Sequence, residues 1–139
     1  MPALLTGLEA CAFPRAVVVS CDLPFLNPGV LQLLLRLSAQ AGCDACVPVV
    51  EGKPQVLHAV YALSIIPALQ SLVEEGERRL SRLLGRVKAH YVDEESLRVS
   101  EASLLSFFNL NTPADYLKAK DLLDAAENGQ RPIPGSRAV

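Results

Sequence analysis

Apolar side chains recur along this chain in two alternating spacings, one helical and one extended. Leu4, Leu5, Leu8, Cys11 and Ala12 fall at helical intervals and predict an opening helix. Arg15 to Cys21 carries a β-branched run, apolar on both faces, of the kind found in a central parallel strand covered by helices on each side. That run stops at Asp22. Pro24 biases Leu23 away from the α region, and Asn27-Pro28 predicts a helix start, with Asn27 as cap and Pro28 in the first helical position. The helix is expected to reach Ala41 and to close at Gly42. Cys46 to Val50 predicts a second strand, near an edge or interrupted by a bulge, because Pro48 cannot donate to a ladder. Glu51 to Pro54 then makes a turn, Gln55 to Ala62 a returning strand, and Ile65 to Glu75 a helix that Gly76 stops.

The second half is patterned more weakly. Leu80, Leu83, Leu84 and Val87 predict a short amphipathic helix with Arg79 and Arg82 on its polar face. Lys88 to Val92 predicts a strand, and Phe107 to Asn111 a final one. Thr112-Pro113-Ala114-Asp115 fits a capping box and opens a helix running to about Glu127. Residues 128–139, rich in Gly, Pro, Ser and Arg, carry too little apolar surface to offset their ordering entropy and are expected to be loose. Residues 1–127 therefore form one domain. Strands alternating with helices predict a three-layer α/β sandwich with a mostly parallel sheet, in which ligands bind beyond the carboxyl ends of the strands.

Composition narrows the function. Half of the 139 residues are hydrophobic and a fifth charged, which suits one globular domain held by packing alone. Thirteen basic against fifteen acidic residues, with no basic run beyond Arg78-Arg79, leave no footprint for nucleic acid. No apolar stretch approaches the roughly 20 residues that cross a bilayer, and no signal peptide is recognisable, so a cytoplasmic protein without membrane contact is expected. Cys11, Cys21, Cys43 and Cys46 are expected as reduced, mostly buried thiols. Cys43 and Cys46 have Cys-x-x-Cys spacing but lack a second such pair, and Cys46 reads as a core residue opening a strand.

Two predicted strand ends carry polar groups that a core does not need. Asp22 would place its carboxylate at the sheet's carboxyl edge, where one acidic ligand suits Mg²⁺ beside substrate phosphates and water; alternatively it caps its own turn. Asn109 and Asn111, two apart on a strand, would project to one side and offer two carboxamides to a polar ring or phosphate; alternatively they are structural, Asn111 lying beside a helix start. Arg78 and Arg79 offer guanidinium forks for a phosphate, or are a solvated pair beside Glu74, Glu75 and Glu77. His58 is a core histidine or points into the cleft from its strand.

The segments Val17 to Leu26, Gln55 to Tyr61, Gly76 to Arg79 and Phe108 to Pro113 resemble, in order and approximate spacing, those of molybdenum cofactor guanylyltransferases. The resemblance covers nearly all of residues 1–127, and Asn109-Leu110-Asn111-Thr112-Pro113 is its most specific part. It implies a Rossmann-like nucleotidyltransferase fold in which Asp22 takes the place of the magnesium-binding aspartate. By the same resemblance Asn109 and Asn111 take the places of asparagines that meet molybdopterin, and Arg79 that of a substrate-site arginine. The implied reaction moves GMP from GTP to molybdopterin and releases pyrophosphate, with Mg²⁺ as cofactor. The family's first strand, Leu-Ala-Gly-Gly loop, Arg-Met-Gly segment and following lysine, which hold GTP, have no counterpart here. The resemblance therefore implies the C-terminal two-thirds of a nucleotidyltransferase domain, with first strand and glycine-rich loop missing. Two alternatives go with that departure: an inactive fragment that binds molybdopterin, itself or a partner subunit, and a related enzyme using CTP.

Overall fold

The structure is a computed structural model that describes residues 1–127; the loose tail expected over 128–139 lies outside them. Helix α1 (Pro2–Glu9) leads into strand β1 (Arg15–Val19) and helix α2 (Pro28–Ala41). Strand β2 (Ala45–Val50), a two-residue β3 (Lys53–Pro54) and β4 (His58–Ala62) follow, then α3 (Ile66–Glu74), a 3-10 helix over Leu80–Gly85 and β5 (Ala89–Val92). A short α4 (Glu94–Arg98) and the final α5 (Pro113–Glu127) complete the chain.

Local chemistry sets several boundaries as expected. The Asn27 side chain accepts the Gly29 N–H at 2.8 Å, and Gly42 closes α2 at φ +53°, a left-handed conformation that glycine adopts without a Cβ penalty. At the start of α5 the Asp115 carboxylate accepts the Thr112 N–H at 2.8 Å, while the Thr112 hydroxyl accepts the Asp115 N–H at 3.2 Å, completing a reciprocal cap.

The sheet runs β1-β4-β2 with β5 on the far side of β2. Three strands, β1, β2 and β5, point the same way, and β2–β5 pair in parallel. As a returning strand, β4 runs against both of its neighbours, β1 and β2, which leaves β2–β5 as the one parallel pairing among the described residues, in a sheet expected to be mostly parallel. The cause is the connection. Only seven residues separate Val50 from His58, too few for a crossover, and they turn back through Glu51 and Gly52, both at positive φ. Pro48 also departs from expectation. It sits in an interior strand, in register with Val92 of β5, and its carbonyl accepts the Gln55 N–H at 2.8 Å, while the bond that an N–H at this position would return to Gln55 is forgone.

Alternation along the strands divides the core into two layers. Ala16, Val18, Ala45, Val47, Ala59 and Tyr61 face α1 and α3, whereas Val17, Cys46 and Val60 face α2 and the 97–107 region. The three-layer α/β sandwich is thereby confirmed. Two second-half elements differ from expectation: Leu80–Gly85 winds as a 3-10 rather than an α-helix, and Phe107 to Asn111 forms no strand. Phe107 ends a buried 3-10 turn, and the following residues make a single main-chain bond to the sheet region, Leu110 N–H to the Asp22 carbonyl at 2.9 Å.

Among the cysteines, Cys43 and Cys46 are buried, but Cys21 is exposed and Cys11 half-buried, so the thiols are less buried as a group than expected. Burial, with Cys43 beside it, pushes the Cys46 thiol up to about 12. At neutral pH it is a protonated core group.

Candidate functional site

The C-terminal end of β1 and the N-terminal end of β4 meet at one edge of the sheet because the two strands are antiparallel, with Val19 opposite His58. The chain leaves β1 through Ser20 and Cys21 to Asp22, and the 108–111 segment is tied alongside by the Leu110–Asp22 bond. Between them lies a cleft of about 270 Å³ lined by Ser20, Asp22, Gln55, His58, Asn109 and Asn111, with Leu23, Pro54, Val56 and Leu57 as its apolar part. A wider cleft of about 690 Å³ shares Pro54, Gln55, Asn109 and Asn111 with it and extends past Lys53, Arg98 and Asp115.

Asp22 does not cap its turn. Its Oδ1 is buried without a hydrogen-bond partner, which rules against the structural alternative for this side chain. One orphaned carboxylate oxygen beside neutral polar groups fits a hard divalent cation that takes most of its ligands from phosphate and water. Among the described residues no group of three or more His, Cys, Asp or Glu side chains forms a fuller metal cage.

Asn109 and Asn111 are brought together with Asp22, although not by a strand. They lie in extended chain outside any ladder, and neither carboxamide makes an intramolecular hydrogen bond among the described residues. The cap at this end is Thr112, so Asn111 is spared that structural duty. Arg79 is placed differently. It lines neither cleft, stands two-thirds exposed and pairs with Glu77 at 3.4 Å, while the Arg78 and Arg79 N–H groups both donate to the same carboxylate.

His58, left open by its sequence, is only 2% exposed and lines the smaller cleft. Its ring stacks on Phe107, centroids 4.4 Å apart and planes 28° apart. Burial lowers its pKa; the Glu101 charge and the Ser106 backbone oppose this, although neither ring nitrogen reaches hydrogen-bond geometry. Gln55, which lines both clefts, was not singled out in the sequence; its position just after the turn, where the returning strand begins, was the available signal.

Residues 1–92 match the family model described as the MobA-like NTP transferase domain. The chain belongs to this family. Its similarity extends to curated proteins named probable molybdenum cofactor guanylyltransferase, 32% identical over 130 residues in Pelotomaculum thermopropionicum and 38% over 99 residues in Bacillus subtilis. These alignments cover 91% and 71% of this chain but 62% and 48% of the relatives, so the chain spans about half to three-fifths of their length. The crystal structure of molybdopterin-guanine dinucleotide biosynthesis protein A from Archaeoglobus fulgidus superposes with a TM-score of 0.80 at 35% identity, covering 87% of this chain and 60% of that one. The MobA-like chain is thus a member of a nucleotidyltransferase family, and no helix among its described residues is long and apolar enough to cross a membrane.

Proposed function

We propose that this MobA-like chain carries the metal and acceptor side of a cytoplasmic guanylyltransferase site, which transfers GMP from GTP to molybdopterin and releases pyrophosphate. The observation that carries the reading is the convergence, in one cleft at the sheet edge, of the unpartnered Asp22 carboxylate oxygen with the free carboxamides of Asn109 and Asn111. Asp22 would hold Mg²⁺, which when bound offsets negative charge on phosphate oxygens. Asn109 and Asn111 orient the acceptor by donating to and accepting from its polar ring. Fixing the acceptor's terminal phosphate at that edge converts an encounter of two substrates into a positioned one, and no covalent enzyme intermediate is required. Arg79 serves as a substrate-side cation once its exposed pair with Glu77 opens, which costs little in water.

A second reading rests on the free Asn109 and Asn111 carboxamides alone: the chain binds molybdopterin without turnover. One assay separates the two. The chain is incubated with molybdopterin, Mg²⁺ and GTP labelled at the α-phosphate, with CTP in parallel, and the dinucleotide product is separated by chromatography. Label transfer from GTP that vanishes in Asp22→Ala supports the enzyme. Molybdopterin retention that weakens in Asn109→Ala and Asn111→Ala, without transfer, supports the binding protein. Full transfer by Asp22→Ala would refute the metal assignment.

A further inference from the structure

Among the described residues, buried side-chain polar atoms without a partner occur at three positions, Asp22 Oδ1, Ser106 Oγ and both ring nitrogens of His58. Two of the three share a cleft. Asp22 and His58 both line it, whereas Ser106 lines neither cleft and adjoins it through Phe107, which stacks on the His58 ring; the Leu110–Asp22 bond ties that segment to the Asp22 turn. Folded proteins pair almost all buried polar atoms, so a cluster of exceptions at a cleft marks groups whose partner arrives with a ligand. Asp22 is already explained in that way. His58 is not.

We propose that the His58 imidazole is a ligand-contact group of this cleft, donating an N–H hydrogen bond to a phosphate oxygen of the compound held by Asp22, Asn109 and Asn111. The inference deepens the function proposed above and rests on it. The cleft lining contains no Lys or Arg and Asp22 is its one charged residue, so a phosphate enters only beside a cation held by Asp22. A phosphate seated there beside a cation still needs neutral donors for its remaining oxygens, and the ring N–H at the floor is such a donor. The stack on Phe107 fixes the ring plane before any ligand arrives, so little orientation has to be gained on binding.

His58 and His90 are the two histidines of the chain, and His90 lies on β5 outside the cleft lining, so each reports separately. The 139-residue chain, labelled with ¹⁵N-histidine, is titrated at pH 7.5 with inorganic phosphate in the presence of Mg²⁺, and phosphate binding is followed independently by ³¹P relaxation. The expected result is a saturable shift of the His58 ring nitrogens with His90 unmoved. His58→Leu should weaken phosphate binding about tenfold or more, the loss of a hydrogen bond to a charged group, while His58→Gln or His58→Asn recovers part of it through an amide N–H. Circular dichroism checks that each variant folds, and if His58→Leu does not, the wild-type titration decides alone. Phosphate that binds without moving the His58 resonances overturns this inference and leaves the proposed function standing. Phosphate that does not bind at all also overturns this inference, while the label-transfer assay decides the proposed function.

Discussion

Replacing His58 by leucine should make the folded chain more stable at neutral pH. The wild-type ring buries a donor and an acceptor nitrogen with no partner, and each such group costs about 1–3 kcal/mol. Leucine has a similar volume and needs no partner, but it forfeits the stack on Phe107, worth about 0.5–1.5 kcal/mol. The balance favours the variant by at least about 0.5 kcal/mol, against the usual run of substitutions at buried sites. Equilibrium urea unfolding at pH 7.5 measures it: with a slope of about 1–3 kcal/mol per molar, the midpoint should rise by about 0.2 M or more at unchanged slope. A second signature is pH dependence. Burial holds the folded pKa of His58 below its ordinary 6.5, so as pH falls from about 6.5 the unfolded chain takes up a proton that the folded chain refuses. Stability contributed by this group is thus intact above 6.5 and declines as the pH drops toward the folded value. His58→Leu should lose that decline. A variant less stable by more than about 1 kcal/mol, or one with the wild-type pH slope below 6.5, would mean that the ring nitrogens are satisfied in the folded protein and would refute the reasoning.

Three further outcomes are expected. Arg15→Met removes a guanidinium that donates to Ser38 Oγ at 2.6 Å and to the Cys43 carbonyl at 2.8 Å, leaving a fully buried serine short of a partner; denaturant unfolding should show a loss of about 1–3 kcal/mol. Asn27→Ala deletes the α2 cap and should cost about 1 kcal/mol in the same assay, with Asn27→Ser recovering most of it. Glu75 is held down to about 2, first by its hydrogen bonds from Arg86 and then by Ser71, so its carboxyl resonance should titrate near that value and return toward 4.5 in Arg86→Gln. The folded pKa is depressed here, so the Glu75 contribution is present above pH 4.5 and is lost as the pH falls through about 2.

The first half of the fold was legible because its elements are bounded by residues with a single local meaning. Asn27, Pro28 and Gly42 place α2 to the residue, and the valines of β1 admit no helical face. The returning direction of β4 was legible in the turn at Glu51–Pro54, although the β-branched composition of the strands still suggested a mostly parallel sheet. Phe107 to Asn111 misled because two aromatics followed by a cap signal look like a strand end, whereas pairing depends on a neighbour that local sequence does not supply. For the candidate site, Asp22, Asn109 and Asn111 were found by asking which polar residues a core does not need. His58 escaped that question. It sits among core residues on a strand, and only its unpartnered nitrogens distinguish it from a structural histidine.

The antiparallel pairing of β1 with β4 makes strand alignment a variable of the chemistry. Asp22 hangs from one strand and His58 begins the other, and their meeting depends on Val19 lying opposite His58. A slip of one residue in β4 would bring Leu57 or Ala59 to that position and turn the imidazole to the other face of the sheet. A single deletion in the turn at Glu51 and Gly52, which alters no residue that lines the smaller cleft, is therefore a way to dismantle it. The length of that turn thus shapes the cleft as much as the side chains it aligns.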